Sequence, residues 1–569
     1  MTGILESQPA QAEALALLGL SYAQQGRLSE ALPVLEQAAS LRSDDQAINN
    51  NLALVLELSG HIDRAISIYR RLVQVREDNL EALSNLGDAL RKNAQLDEAS
   101  AFLEKALKIN PTHVASLNSL GIVLQEQGDF DKAESTLRHA LTITPDSPHI
   151  LSNLAGVLHK QDRYTESLSL LEKIIVLTPD FQPAWSNLAA AYTMTRQYNK
   201  AKKSALKAID LNPNSSAAWV NLGKLNYEKG NFDESLNNFN KAIQLDNNNL
   251  EARWQKGFTS LLLGDYASGW KDYDVGLLCG GRTTRSIDLP RWKGEGLENK
   301  TILVLAEQGI GDEIMFASCL PDLQRLGGNI IYECDNRLVP LFQRSFPDVQ
   351  FFSRSDNAEI ILNNNIDLKL ASGSLPGIYR NQADDFPNRQ GFLLADPEKI
   401  TSWKLRYASL GKGLKIGISW RGGNRIDPLR RSIELNQWLP ILQMKEHTFI
   451  DIQYGDSETE RQHIQSSYGI KLHRFAETNP TKEQDDFAAQ LTALDLIISV
   501  SNATVHLAGA LGIPTWSLLP ASPNWRWGIN TNTTPWYSSV ELIRQSRTDN
   551  WNNTLLEIQQ KLMELSRTS

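Results

Sequence analysis

Cysteine is scarce in this chain of 569 residues, with only Cys279, Cys319 and Cys334. Their spacing fits neither a disulfide framework nor a cysteine metal site. No window holds the ~20 apolar residues of a membrane-spanning helix. The first residues, MTGILESQPA, lack the basic and apolar regions of a secretory signal. HExxH, CxxC and Walker A motifs are also missing. These absences predict a cytoplasmic protein with no membrane insertion and no protein-bound metal.

Positive charge is not in excess either, since the formal net charge is −9. A protein that binds nucleic acid along its phosphate backbone normally carries a basic surface. We therefore expect no nucleic-acid partner. The composition, 41% hydrophobic and 22% charged, is that of an ordinary globular protein, and the length exceeds what one hydrophobic core normally serves.

A period of 34 residues, without insertion or deletion, runs through the first half. Its anchors are small residues that follow leucine in most copies: Gly19, Ala53, Gly87, Gly121, Ala155, Ala189, Gly223 and Gly257. Further small residues recur twelve and nineteen positions later, where two helices would cross closely. This pattern is typical of tetratricopeptide repeats, each a pair of antiparallel helices. It predicts an α-solenoid over 1–273, with a concave surface for binding protein or peptide.

Asparagine recurs at the sixth position of most repeats, which faces the concave side in such a solenoid. The positions are Asn51, Asn85, Asn153, Asn187 and Asn221. A carboxamide donates and accepts, so a row of them could hold an extended peptide backbone. The alternative is that asparagine is simply the commonest residue at that repeat position.

Short apolar segments alternate with helical patterns after residue 300. Segments 301–307, 414–420, 448–454, 496–501 and 513–520 are predicted strands, and 313–328, 485–495 and 503–512 predicted helices. This alternation favours parallel sheets covered on both faces. We expect a linker over 274–300 and two α/β lobes, 301–405 and 406–569, with a cleft between them.

Four loops follow predicted strands, where open parallel sheets bind ligands. The first, QGIGD, brings Asp312 to the strand end as a proton acceptor, or as a plain helix cap. The second, SWRGGNR, continues to Arg430 and Arg431 and could cradle a diphosphate, or form a solvated basic loop.

The third loop is SNATVH, residues 501–506, at the start of a predicted helix. Its amides and the helix dipole favour an anion; the alternative is an ordinary cap by Asn502 and a core histidine at His506. The fourth is PASPNWRWG, residues 520–528. Its tryptophans, including Trp525, could line a pocket or fasten the loop to its lobe.

Several phrases resemble known glycosyltransferases. GIGDEIMFASCLP and SVSNATVHLAGALGIPTW are similar to segments of the ADP-heptose:lipopolysaccharide heptosyltransferases. Together with SWRGG, IQYGD and LLPASPNWRWG, in that order, they resemble bacterial tetratricopeptide-repeat glycosyltransferases. The arrangement is also similar to O-GlcNAc transferase, a superhelix leading into a GT-B fold of two Rossmann-like lobes.

This resemblance implies inverting, metal-independent transfer of a sugar from a nucleotide-diphosphate sugar, with no other cofactor. Asp312 matches the catalytic aspartate of the family. The implied donor-binding positions are Gly311, Trp420, Arg421, Arg431, Gln453, Asn502, Ala503, Thr504, Val505, His506 and Trp525. The heptosyltransferases carry aspartate where this chain has Asn502, which leaves the donor open. None of the catalytic residues particular to O-GlcNAc transferase has a clear counterpart.

The leading hypothesis is therefore a glycosyltransferase whose acceptor is a protein held by the repeats. Two alternatives remain at this point. The chain could be a protein-binding scaffold whose GT-B region is inactive, or the acceptor could be a glycan or a lipid-linked sugar. The nucleotide, the sugar, the acceptor and the oligomeric state do not follow from the sequence.

Overall fold

The computed structural model describes residues 12–355, 365–422, 431–529, 531–546 and 550–568. The chain divides into two compact units, 1–213 and 214–569. Arg425 and Arg430 of the predicted arginine loop lie outside the described residues. Within the described residues, every helix is too short or too polar to cross a lipid bilayer.

Sixteen helices of the described chain form the predicted repeats, which confirms the solenoid. In the first unit they are α1 (Ala12–Gln24), α2 (Leu28–Leu41), α3 (Gln46–Leu58), α4 (Ile62–Val75), α5 (Leu80–Lys92), α6 (Leu96–Ile109), α7 (Val114–Glu126), α8 (Phe130–Ile143), α9 (Pro148–Lys160), α10 (Tyr164–Leu177), α11 (Gln182–Met194) and α12 (Tyr198–Leu211). In the second unit they are α13 (Ser216–Glu228), α14 (Phe232–Leu245), α15 (Leu250–Leu263) and α16 (Tyr266–Tyr273).

Small residues let the two helices of a repeat pack closely. Ala31, Ala99 and Ala106 are fully buried. At Gly87 an added Cβ would lie 2.5 Å from Cγ of Leu103 in the paired helix, well inside van der Waals contact. The small residues of the repeat pattern are therefore a packing requirement.

A left-handed residue ends the first helix of each of the eight described pairs, again at intervals of 34. Five of these residues are glycine: Gly26, Gly60, Gly128, Gly230 and Gly264. The other three are Ala94, Asp162 and Arg196, with φ of 58°, 62° and 58°. The left-handed turn is thus kept even at residues whose Cβ disfavours a positive φ.

The first sheet of the second unit has four parallel strands in the order β3-β2-β1-β4. The strands are β1 (Thr301–Leu305), β2 (Asn329–Cys334), β3 (Gln350–Ser353) and β4 (Leu368–Ala371). Among the described residues of this region, the helices are α17 (Ile310–Ala317), α18 (Leu320–Gln324), α19 (Val339–Ser345), α20 (Leu375–Tyr379) and α21 (Pro397–Ala408). The single helix predicted over 313–328 is two helices, because Pro321 stands in the first turn of α18.

The second sheet has six strands in the order β6-β5-β7-β8-β10-β9. All are parallel except β9, which pairs antiparallel with β10. They are β5 (Lys415–Ser419), β6 (Thr448–Asp451), β7 (Leu496–Val500), β8 (Thr515–Leu519), β9 (Thr533–Thr534) and β10 (Tyr537–Arg544). The helices are α22 (Leu439–Leu442), α23 (Glu458–Tyr468), α24 (Asp485–Thr492), α25 (Ala503–Ala510) and α26 (Asn552–Thr568). The predicted parallel sheets are confirmed.

Residues 274–300 pack against the first sheet. The side chain of Arg282 is fully buried and donates to both carboxylate oxygens of Glu307 at 2.7 Å. The chain around Arg291 runs beside the edge strand β4: the Trp292 N–H donates to the Lys369 carbonyl, and the Lys369 N–H donates to the Pro290 carbonyl. This connecting segment therefore extends the sheet by a short stretch of backbone.

Candidate functional site

One pocket of about 510 Å³ lies where loops from both sheets of the second unit meet. The loops follow β1, β2, β5, β6, β7 and β8, at the carboxyl ends of the strands, as open parallel sheets predict. Residues that line the pocket are Gly309, Ile310, Gly311, Asp312, Arg337, Arg421, Arg431, Tyr454, Ser501, Asn502, Ala503, His506, Asn524, Arg526 and Trp527.

Asp312 reaches the pocket from the first turn of α17. The N-cap of that helix is Gly309, so Asp312 is not the cap that the sequence left as an alternative. Its carboxylate accepts from the guanidinium of Arg526. Just before the loop, Gln308 has φ of 60°, and its side-chain amide donates to the Tyr273 hydroxyl at 2.7 Å. A strained residue is thus held in place at the start of the loop that carries the carboxylate.

Asn502 joins the ends of two strands in the second sheet. Its Oδ1 accepts from the Thr504 N–H at 3.0 Å and caps α25. Its Nδ2 donates to the Ser419 hydroxyl at 2.8 Å and to the Arg421 carbonyl at 3.1 Å. Both halves of the carboxamide are therefore used, the oxygen within its own helix start and the nitrogen across to the loop after β5.

The helix start offers fewer amides to a ligand than the sequence suggested. Of the three amides at 503–505, that of Thr504 donates to Asn502 Oδ1, and that of Val505 donates to the Asn502 carbonyl at 3.2 Å. The side chains of Thr504 and Val505 are buried. Ala503 lines the pocket, so its N–H is the amide of this turn that is placed to meet an anion.

Gln453 shapes the loop after β5 from below the pocket surface. It is buried, and its Oε1 accepts from the backbone N–H of Trp420 at 2.9 Å and of Arg421 at 2.8 Å. Trp420 is fully buried and donates through Nε1 to Glu460 at 2.8 Å. Neither Gln453 nor Trp420 lines the pocket, and together they position Arg421, which does.

His506 lies on the pocket wall as a neutral ring. Burial lowers its pKa to about 3, and the positive charge of Arg431 acts in the same direction. Its ring stacks on Trp527 with centroids 5.0 Å apart, and Nδ1 lies 3.0 Å from the Tyr537 hydroxyl. The ring therefore adds a polar but uncharged surface.

The two tryptophans of the fourth loop have different surroundings. Trp527 lines the pocket, and its Nε1 donates to the Ser501 hydroxyl at 2.9 Å. Trp525 is not among the lining residues and packs against Trp270 and Tyr273 of α16, with centroids 5.3 and 5.5 Å apart. Trp525 thus fastens the loop to the last repeat, the alternative that the sequence left open.

Two arginines of the pocket, Arg337 and Arg526, were not among the predicted site residues. Arg337, in the loop after β2, pairs with Asp335 and donates to the Tyr454 hydroxyl at 2.7 Å. Arg526 lies within the quoted phrase WRWG. Arg337 could have been predicted, because it follows a predicted strand. The pairing of Arg526 with Asp312 could not, because it joins residues 214 positions apart and has no local sequence signal.

Positive charge dominates the pocket wall. Four lining residues are arginine, and Asp312 is the one acidic residue among those that the described chain contributes. Guanidinium groups bind phosphate oxygens in two-pronged fashion, and a site walled by the protein strengthens the attraction. The arrangement suits a compact polyanion beside a single carboxylate.

Carboxylates that could hold a metal ion occur elsewhere. Among the described residues, Glu483, Asp485 and Asp486 form such a group. Arg344 and Lys399 already pair with this group. None of the three lines the pocket.

The asparagines of the repeats are partly engaged with one another. Nδ2 of Asn85 donates to Asn50 at 3.1 Å, that of Asn153 donates to Asn118 at 2.8 Å, and that of Asn187 donates to Ser152 at 3.0 Å. Asn51 and Asn221 are half-buried. The hydrogen bonds of Asn85, Asn153 and Asn187 therefore connect successive repeats.

Comparison with known proteins identifies the repeats. Tetratricopeptide-repeat models match residues 2–48, 78–146, 124–192, 182–215 and 226–264. The protein FlbA of Caulobacter vibrioides is 33% identical over 311 residues, which cover 52% of this chain and 52% of FlbA. The chain thus spans about half the length of this curated relative.

Solved structures of repeat proteins are also similar to part of the chain. A tetratricopeptide-repeat protein from Parabacteroides merdae shares 18% identity over 43% of this chain and 97% of its own, with a TM-score of 0.38. A thermophilic repeat protein of Thermus thermophilus shares 25% identity over 32% of this chain and 98% of its own, with a TM-score of 0.30.

Proposed function

We propose that the second unit is a GT-B glycosyltransferase that transfers a sugar from a nucleotide-diphosphate sugar, with inversion and without a metal. The observation that carries the proposal is the pocket itself. It places one carboxylate from the first sheet opposite a helix start and several arginines from the second, all at carboxyl strand ends. The two lobes of the proposed fold are 301–405 and 406–569, with 274–300 as the connecting segment.

In the proposed reaction, the side of the pocket from the first sheet removes a proton, and the side from the second sheet stabilises the leaving group. Asp312 accepts the proton of an acceptor hydroxyl, and the oxygen of that hydroxyl forms a bond to the anomeric carbon. The bond from that carbon to the diphosphate breaks, and the nucleoside diphosphate leaves from the other face. Arg421, Arg431 and the Ala503 N–H stabilise the negative charge that develops on the leaving group.

The tetratricopeptide repeats suggest protein binding, since a helical solenoid is an extended binding surface. We propose that the acceptor is a protein or peptide held along the asparagine positions, where carboxamides could hydrogen-bond a peptide backbone. Since repeats alone also suit a scaffold, a scaffold with an inactive second unit is the second candidate. Transfer to a glycan or lipid-linked acceptor is a further outcome that the same assay detects.

Mass spectrometry of products from the full chain, a pooled set of nucleotide-diphosphate sugars and a peptide and glycan library tests the proposal. We expect transfer to peptide, lost in Asp312→Asn while donor affinity changes little or increases. Asp384→Asn, at an exposed carboxylate outside the pocket, is the matched control and should transfer normally. Failure of every donor to bind would favour the scaffold, and unchanged transfer by Asp312→Asn would remove Asp312 as the base.

A further inference from the structure

Asp312 and Arg526 share an ion pair inside the pocket. Nη2 of Arg526 donates to Asp312 Oδ1, and Nη1 donates to Asn524 Oδ1. The two side chains are 17% and 12% exposed. A carboxylate in such a pair has one of its oxygens engaged, so it is a poorer acceptor for the proton of a hydroxyl.

Arg526 differs from Arg337 and Arg421 in the position of its acidic partner. Arg337 pairs with Asp335, and Arg421 pairs with Glu460 at 3.2 Å. Neither of those carboxylates lines the pocket, whereas Asp312 does. An anion that enters the pocket therefore competes with Asp312 for Arg526, while Arg337 and Arg421 keep partners outside.

The backbone that carries Arg526 is held by the last repeats of the second unit. The Ser522 hydroxyl lies 3.0 Å from the carbonyls of Tyr227 and Glu228, and the Tyr227 hydroxyl donates to the Pro523 carbonyl at 3.1 Å. The guanidinium lies over the Trp525 ring, 4.9 Å from its centroid. With the loop fixed, exchange between two anions requires only a change of the side-chain torsions of Arg526.

We propose that Arg526 is a donor-binding residue that couples donor binding to the release of the base. The diphosphate of the donor takes the Arg526 guanidinium, and Asp312 is then free to accept the acceptor proton. This deepens the proposed function and rests on it. It requires the donor to bind before an acceptor can react, and it makes Arg526, with Arg421 and Arg431, a contact of the leaving group.

The test is a double-mutant cycle on the full chain, with inorganic pyrophosphate as the probe and calorimetric titration as the measurement. Asp312→Asn should tighten pyrophosphate binding about tenfold, because Arg526 no longer has a competing partner. In the Arg526→Gln background the same Asp312→Asn change should alter the affinity less than twofold. Glu477→Gln removes the same charge at an exposed pair with Arg406 and should change nothing.

An equal gain in both backgrounds would mean that the carboxylate simply repels the anion, and it would overturn the coupling. No gain from Asp312→Asn would overturn it as well, while leaving the diphosphate site in place. If Arg526→Gln does not fold, Arg526→Lys replaces it; a lysine lacks the fork that reaches both Asn524 and Asp312, so the gain should fall to about threefold, and a full tenfold gain would contradict the proposal. Absence of pyrophosphate binding in every variant would instead remove the proposed function itself.

Discussion

The contacts of Asn502 explain why this position of the pocket carries a carboxamide. Its nitrogen donates to Ser419 and to the Arg421 carbonyl, and an aspartate has no hydrogen to donate there. A carboxylate would face the carbonyl oxygen instead. The residue type at position 502 thus follows from the contacts of the loop after β5.

Asn502→Asp should therefore destabilise the second unit by about 1–3 kcal/mol, the cost of an unpaired buried polar group. Pyrophosphate binding should weaken as well, because a negative charge is added beside the anion. Urea unfolding and calorimetric titration measure the two effects. Asn479→Asp is the matched control, since Asn479 accepts through Oδ1 from the N–H and hydroxyl of Thr481, and aspartate accepts equally well. A similar loss in both variants would contradict the role of Nδ2.

His506 makes a second residue-scale prediction, on the dependence of stability on pH. Its pKa is about 3 in the folded chain against an ordinary value of 6.5. Between these values the unfolded chain binds a proton that the folded chain does not. The free energy of unfolding should therefore fall as pH drops below about 6.5, by up to about 1.4 kcal/mol per pH unit from this group.

His506→Gln should remove that part of the slope, as measured by urea unfolding at several pH values between 6.5 and 4.5. Glu313 acts in the opposite sense, because burial raises its pKa to about 7, so the folded chain holds the extra proton and stability falls as pH rises. Glu313 is present in both chains, so subtracting the slope of unfolding free energy against pH of the parent from that of His506→Gln isolates the contribution of His506. Equal slopes for the parent chain and for His506→Gln would contradict neutral burial of His506.

At the scale of the element, the repeats keep one turn geometry with different residues. Ala94, Asp162 and Arg196 adopt the left-handed conformation that glycine adopts at the equivalent positions. A residue with a Cβ pays about 1 kcal/mol or more there. The interhelical packing on both sides of the turn, with Leu90 and Ala99 fully buried, enforces the conformation in spite of that cost.

Ala94→Gly should then stabilise the repeat by about 0.5–1 kcal/mol, after the greater flexibility of glycine in the unfolded chain is subtracted. Gly60→Ala, at the equivalent turn with φ of 82°, should destabilise it by a similar amount. Hydrogen exchange of the amides on either side of each turn measures the local effect. Opposite signs are the expected result, and a loss of protection in Ala94→Gly would contradict it.

Strands and helices could be predicted from the sequence where the pattern that marks them lies within the element itself. The strand predictions at 301–307, 414–420 and 496–501 fall on observed strands and exceed them by at most two residues at either end, because the apolar run extends slightly past the ladder. The predicted helix over 313–328 is too long, because Pro321 stands in the first turn of a new helix within that range. Asp312, Arg421, Asn502 and His506 line one pocket, as expected for loops at the carboxyl ends of parallel strands, since in such sheets loop position follows from strand order.

At the scale of the whole molecule, the boundary between compact units does not coincide with the end of the repeats. The last helices, α13–α16, belong to the unit that contains both sheets. Leu261, Trp270 and Tyr273 share one hydrophobic cluster with strand residues such as Ile302 and Val304. Sequence periodicity marks where a repeat ends, but it carries no information on which neighbour buries that repeat, so this boundary and the partners of Trp525 and Arg526 could not be predicted.

A chain beginning at 214 should therefore fold and bind pyrophosphate with the affinity of the full chain. A chain beginning at 274 should not, because it exposes the partners of Trp270 and Tyr273 and leaves Trp525 without support. Tryptophan fluorescence, thermal unfolding and calorimetry distinguish the two. Equal stability of both truncated chains would contradict the assignment of the last repeats to the second unit.

The backbone contact between the connecting segment and β4 also blocks pairing of this edge strand with a second copy of the chain. β4 is an outer strand, and an outer strand with free N–H and C=O groups is a template on which another chain can add. The Lys369 N–H and C=O are already taken by Pro290 and Trp292. Proteolytic cleavage near residue 290 would expose the N–H and C=O of Lys369. The cleaved protein should then polymerise through β4, even while its pocket is undamaged.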